Sequence, residues 1–91
     1  MEFLVRTTNN LPPDTPPERR RELRDAERAR AQELRDEGVL RKLWRVPGTR
    51  SAIGWYEARD ATHLHDALAS LPMFDWLDIT VEPLATHPQE R

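Results

Sequence analysis

Ninety-one residues without a cysteine, one third of them charged and with a formal net charge of −2, describe one small domain, 1–91, held by neither disulfides nor a Cys-based metal site. A domain of this size buries only about 60–65% of the surface its unfolded chain exposes, so a subunit interface would add materially to its stability. No apolar run approaches the roughly 20 residues of a membrane span, and no basic region precedes an apolar signal core; the expectation is a cytoplasmic protein with no membrane partner.

Residues 2–8, Glu-Phe-Leu-Val-Arg-Thr-Thr, read as a strand with Phe3 and Val5 on one face and Leu4 and Arg6 on the other. The proline pair at 12–13 makes an extended connection. A helix then spans Thr15 to Gly38. Thr15, Pro16 and Glu18 are spaced as a capping box with proline at the first helical position, and Gly38 is the stop.

Along that helix Leu23, Ala26, Ala31 and Leu34 form one apolar stripe. Glu27 stands four residues from both Leu23 and Ala31, so it projects from the stripe instead of the wet face. Two readings stay open. Glu27 is either an edge glutamate that pairs with Arg30 or reaches water, or a carboxylate at a pocket floor that moves a proton. Residues 18–37 carry seven arginines and seven acids, a pattern of interspersed signs on a solvated face. Such a face lacks the one-signed basic surface of a nucleic-acid binder.

Val39 to Val46 and Arg50 to Ala58 flank Pro47-Gly48, which suits the central pair of a type II turn, and together they read as a β-hairpin. Strict alternation puts Leu40, Lys42, Trp44 and Val46 on one face and Val39, Arg41, Leu43 and Arg45 on the other. The second hairpin strand sets Ile53, Trp55 and Glu57 against Ala52, Gly54 and Tyr56, and Gly54 marks a bulge or a close approach. Asp60 to Leu71 is a shorter helix capped by Asp60 and ended by Pro72. Leu64, Ala67, Leu68 and Leu71 lie on its stripe, with His65 flanking it and His63 turned away. A last strand, Asp78 to Leu84, turns Ile79 and Val81 inward, and Pro83 places it at an edge or near its own end. Residues 85–91 read as a loose tail.

The order βαββαβ is the ferredoxin-like α+β unit, with two helices on one face of a four-stranded antiparallel sheet. The other face needs cover, and a second subunit's sheet is the natural cover. No His or carboxylate cluster has metal-ligand spacing, no glycine-rich phosphate loop is present, and neither Ser51 nor Ser70 sits in a nucleophile elbow. Acid–base chemistry remains. Glu27, facing the sheet, would share a cavity with Trp44, Lys42 or Arg45, and Lys42 and Arg45 fall on opposite strand faces.

The chain resembles the muconolactone Δ-isomerase family over nearly its whole length. The residues that carry the resemblance begin with Phe3-Leu4-Val5-Arg6, Leu11-Pro12-Pro13-Asp14, Glu27 and Glu37-Gly38. They continue through Leu43-Trp44-Arg45-Val46-Pro47-Gly48, Leu64-His65-Asp66, Leu71-Pro72-Met73-Phe74, Asp78-Ile79 and His87-Pro88.

The resemblance implies a dimeric α+β barrel, a homo-oligomer of dimer units (typically a decamer), no cofactor, and a small lactone substrate. It implies conversion of (+)-muconolactone to 3-oxoadipate enol-lactone, with a proton leaving C4 and one arriving at C2 through a dienolate. On that footing Glu27 is the proton shuttle, Arg45 or Lys42 binds the substrate carboxylate, His65 is a second candidate to polarise the carbonyl, and Trp44 is an apolar wall. Four positions depart from the family's pattern: Lys42 for a histidine, Leu40 for an aromatic, Ala52 for an asparagine, and Arg30 for an apolar or aromatic residue. Arg30, one turn after Glu27, would lower its pKa and change the pocket's charge. A chloromuconolactone dehalogenase and a non-catalytic barrel that binds a small acid are the competing functions, the latter with Arg30 neutralising Glu27.

Overall fold

The computed structural model describes residues 1–91 and is built around its first strand, β1 (Glu2–Asn9). After it come α1 (Pro17–Asp36), β2 (Leu40–Arg45), β3 (Ser51–Glu57), α2 (Ala61–Ala69) and β4 (Leu77–Leu84), with 3₁₀ turns at Phe74–Trp76 and Pro88–Glu90. The sheet order is β2-β3-β1-β4, all antiparallel, so β1 lies inside and β2 and β4 are the edges. This is the expected βαββαβ arrangement. Pro83 sits opposite Phe3 in edge strand β4, where its missing N–H costs no ladder bond on the open side. No helix is long and apolar enough to cross a membrane.

One sheet face carries the core. Phe3, Val5, Leu40 and Tyr56 project from it and meet Leu34 of α1, Leu64, Ala67 and Leu68 of α2, and Val39, Ala58 and Leu71 from the connections. Val5 is wholly buried and Leu34 is 1% exposed. Only 15 of the 91 residues are buried, a thin core for a chain standing alone. On α1, Leu23 and Leu34 are buried and Ala31 is partly so, but Ala26 is exposed: the stripe is narrower than the spacing suggests.

The helix ends differ in how well spacing foretells them. Gly38, at φ 78°, closes α1 as a Schellman motif: the Val39 N–H donates to the Leu34 carbonyl at 2.9 Å and the Gly38 N–H to that of Arg35 at 2.9 Å. The capping box at the other end does not form. Pro16 precedes Pro17 and is therefore driven out of the helical region, to φ −56°, ψ 143°. The helix starts one residue later than expected, and Thr15 donates its hydroxyl to the Pro12 carbonyl at 2.7 Å instead. Arg20 donates to the same carbonyl at 2.8 Å. In α2 the expected cap is present, with Asp60 Oδ1 accepting the His63 N–H at 2.8 Å, although the regular helix ends at Ala69 and Leu71 lies in the turn beyond. The Pro88–Glu90 turn in the C-terminal segment is capped by His87, whose Nδ1 accepts the Gln89 N–H at 3.0 Å.

The hairpin holds the main departure from simple alternation. Val46 to Thr49 turns through Pro47 and Gly48, with Gly48 at φ 76° as a type II turn requires. Within β2, however, the register shifts between Leu40, opposite Tyr56, and Lys42, opposite Trp55. Arg41 is the extra residue of this bulge. Leu40 therefore stays with the core, while Lys42 and Trp44 turn to the far face and Leu43 and Arg45 to the helix face. Gly54 serves a close approach: a Cβ there would meet the Tyr56 ring edge at 2.6 Å and Leu43 Cδ2 at 3.2 Å.

Leu34→Ala should lower stability by about 2–5 kcal/mol, since it leaves a cavity where α1 seats on the sheet. Urea unfolding at one fixed protein concentration reads this, and a loss below about 1 kcal/mol would mean that Leu34 does not anchor the core.

Candidate active site

Two hollows of similar size open on the helix side of the sheet. One, about 480 Å³, lies beside α2 and is lined mainly by apolar side chains, among them Phe3, Leu64, Phe74, Ile79 and Val81, with His65 as its titratable group. His65 stands edge-on to Phe74, ring centres 6.2 Å apart. The other, about 460 Å³, lies between α1, the end of β2 and the connection after α2. It contains Glu27, with Arg24, Arg28, Ala31, Gln32 and Arg35 from α1, Leu43 and Arg45 from β2, and Met73. Both are within the size range of small-ligand sites. Chemistry separates them, because the second holds a carboxylate, Glu27, set among arginines.

Glu27 is only partly exposed. Its Oε1 accepts the backbone N–H of Met73 at 3.0 Å. Met73 is the residue that opens the 3₁₀ turn Phe74–Trp76, so the carboxylate sits at a backbone donor that would otherwise lack a partner. Burial pushes the Glu27 pKa above 4.5, and the Met73 N–H opposes that shift only in part. Arg24, Arg28, Arg35 and Arg45 line the same cleft, and none of them is ion-paired or hydrogen-bonded to the carboxylate.

Arg30 takes no part in this cleft. It donates through Nε to Ser70 Oγ at 2.8 Å and pairs with Glu33 at 3.2 Å and Glu37 at 3.7 Å, fastening α1 to the end of α2. The Glu27–Arg30 pair expected from their spacing is not formed, and with it goes the cation that would have held Glu27 ionised. The physical reason is direction. Arg30 leans across the other flank of the apolar stripe, toward α2, where Ser70 and two acids receive its guanidinium.

The remaining site candidates are divided by the fold. Arg45 lines the Glu27 cleft, and one of its guanidinium nitrogens donates to the Ser51 carbonyl at 3.4 Å. Lys42 and Trp44 share the far face of the sheet, the ammonium 5.4 Å from the indole ring, and Trp44 is 44% exposed. His65 lies in the other hollow. Within one chain, then, Glu27 and Arg45 come together, while Lys42, Trp44, His65 and Arg30 are placed elsewhere.

Several cleft residues escape a reading by apolar stripe. Arg24, Arg28 and Arg35 share the spacing i, i+4, i+11 with Ala31 between them, which puts them on one face beside the core. That spacing was the available signal. Tyr56 is the other omission. Its ring lies over Gly54 near Leu43, and its hydroxyl is pushed up to about 12 by burial and by the charge of Glu27, against a lowering from Arg35. It stays protonated over any working pH.

Comparison with known proteins follows the same outline. The family model described as "Muconolactone delta-isomerase" matches residues 1–90. "Muconolactone Delta-isomerase 2" of Acinetobacter lwoffii is 41% identical, over 96% of this chain and 91% of its own. The muconolactone Δ-isomerase of Cupriavidus pinatubonensis is 38% identical, over 97% of this chain and 96% of its own. The crystal structure of a muconolactone isomerase is similar at a TM-score of 0.90 and 38% identity, covering 97% of this chain and 92% of that one. A 5-chloro-2-hydroxyhydroquinone dehydrochlorinase from Burkholderia phenoliruptrix has a TM-score of 0.71 at 14% identity, a likeness of fold alone.

Because the folded protein holds the Glu27 proton more tightly than the unfolded chain, native Glu27 binds more protons between pH 4.5 and its own raised pKa. Stability contributed by this group is therefore lost as pH rises through that window. The stability of wild type relative to Glu27→Gln should fall with rising pH above about 4.5, read by urea unfolding at several pH values; a flat or rising difference would contradict the buried-carboxyl assignment.

Proposed function

The chain belongs to the muconolactone Δ-isomerase family, and from that membership we infer that it moves the ring double bond of (+)-muconolactone to give 3-oxoadipate enol-lactone, with Glu27 as the proton carrier. The observation that carries the assignment of Glu27 is its partly buried carboxylate, with raised pKa, in an arginine-lined cleft of lactone size.

Glu27 Oε1 is held by the Met73 N–H, which leaves Oε2 to face the substrate. In the first step Oε2 takes the proton from C4 of the ring. The C4–H electrons become the C3–C4 double bond, the former C2–C3 double bond becomes C1–C2, and the C1 carbonyl π pair leaves the negative charge on the carbonyl oxygen. In the second step the protonated carboxyl returns its proton to C2, the carbonyl reforms, and the double bond remains between C3 and C4. One proton leaves and one arrives, so Glu27 ends as it began. A carboxylate raised toward neutrality is a better match to this work than one at the ordinary value. Arg45, which lines the same cleft, receives the substrate's side-chain carboxylate or the developing oxyanion in this reading.

The working unit is a homo-oligomer in which a second copy covers the open sheet face. Support comes from that face itself, where Trp44 is 44% exposed. A cytoplasmic location is consistent with the cysteine-free composition.

Glu27→Gln keeps an oxygen to accept the Met73 N–H but cannot shuttle a proton. It should fold with an unchanged circular dichroism spectrum and lose about 10²–10⁴-fold in turnover of (+)-muconolactone; near-wild-type turnover would remove Glu27 from the chemistry. In the wild-type enzyme, kcat/KM should fall on acidification with a midpoint above 4.5, as the base becomes protonated. Light scattering should find a dimer or a multiple of it, and Trp44→Glu should shift the population toward monomer; a monomeric wild type at micromolar concentration would remove the sheet-face interface.

A further inference from the structure

The charge of the Glu27 cleft exceeds what a monoanionic lactone needs. Arg24, Arg28, Arg35 and Arg45 line it, and Glu27 is its one acid. None of the four belongs to the chain's ion pairs, which join Arg19 to Glu22, Arg30 to Glu33 and Glu37, and Arg41 to Glu57. The other acids of α1 lie elsewhere. At about 100° per residue, Glu18, Glu22, Asp25, Glu33 and Asp36 form a stripe roughly 120° around the helix from Arg24, Arg28 and Arg35. A helix whose charges balance in number therefore sets three of its unpaired cations, Arg24, Arg28 and Arg35, on the cleft side, away from that acidic stripe.

A lactone with one side-chain carboxylate uses one guanidinium for that group and at most one more donor for the oxyanion. Two arginines remain without a substrate group to meet. None of the four is paired with Glu27, and apart from the one contact between Arg45 and the Ser51 carbonyl none bonds to another part of the chain. Guanidinium groups recognise carboxylates through paired, charge-assisted hydrogen bonds.

Resting on the isomerase reading above, we propose that the preferred substrate is a muconolactone-type lactone bearing two carboxylates, the second bound by the arginine rim formed by Arg24, Arg28 and Arg35. The reaction restricts where the second carboxylate sits. C4 must carry the hydrogen that leaves, and C2 receives one, whereas C3 neither loses nor gains a proton. A carboxylate on C3 therefore adds charge without blocking either step. It also lies on the ring, apart from the side-chain carboxylate, so the two anionic groups reach different parts of the rim.

The discriminating experiment compares (+)-muconolactone with its 3-carboxylated counterpart on the wild-type protein at low and at 0.5 M salt. The dicarboxylate should be favoured in kcat/KM by about tenfold or more, chiefly through KM, and the preference should shrink in high salt as the charges are screened. Arg35→Gln should bring the ratio of the two substrates toward one. A wild-type ratio at or below one, or a ratio unmoved by Arg35→Gln, overturns the proposal. Calorimetric binding of the saturated analogues, which have no double bond to move, reads the same preference without turnover. Tighter binding of the two-carboxylate analogue by about tenfold sustains the charge assignment even if neither lactone is isomerised, in which case the isomerase reading alone fails. Equal binding of the two analogues overturns the charge assignment.

Discussion

The bond from the Met73 N–H to Glu27 is the contact on which the candidate site depends. It joins residues 46 apart in sequence, from the middle of α1 to the connection that leads into β4. A carboxylate taken out of water would be costly if left unpartnered, and a backbone donor at the start of a 3₁₀ turn would lack an acceptor. Each supplies what the other needs. Because the donor is a neutral backbone group, it orients the carboxylate without the strong pKa depression that an arginine would bring. The result is a carboxylate that is positioned and still able to change its protonation state.

Around this contact the fold sorts charge by direction. Arg30 is drawn to Ser70, Glu33 and Glu37, where it ties α1 to α2. Arg24, Arg28 and Arg35 follow another side of the same helix and reach the cleft rim. The helix thereby uses similar side chains for two purposes, separated only by their angular position. Tyr56, pressed over Gly54 beneath the cleft, lies in the fields of both Glu27 and Arg35 and stays protonated.

The sheet makes a comparable division through one irregular residue. The bulge at Arg41 keeps Leu40 in the core and sends Lys42 and Trp44 to the open face, leaving Leu43 and Arg45 for the cleft. Without the bulge, Leu40 would lie on the open face with Lys42 and Trp44. The open face then presents Trp44, 44% exposed, to solvent.

Much of this was legible in the amino-acid order. The βαββαβ succession, the Schellman stop at Gly38, the Pro47-Gly48 turn, the Asp60 cap and the shared face of Phe3 and Val5 all follow from local geometry and periodicity, which are encoded over a few residues. Of the pair expected inward on β4, Ile79 is partly buried but Val81, on an edge strand, is 40% exposed. Glu27 was also visible as a carboxylate beside an apolar stripe. Other features were settled only in three dimensions. Whether Arg30 met Glu27 depended on an acceptor at Ser70, forty residues away, and the partner of Glu27 was a backbone N–H that no side-chain pattern announces. The bulge at Arg41 depended on the register against β3, and the failure of the capping box on the conformational demand of Pro17 upon Pro16. A linear sequence sets which side chains are available and their period along each element; the pairing of elements decides which of them face one another, and that pairing gives Glu27 its cleft.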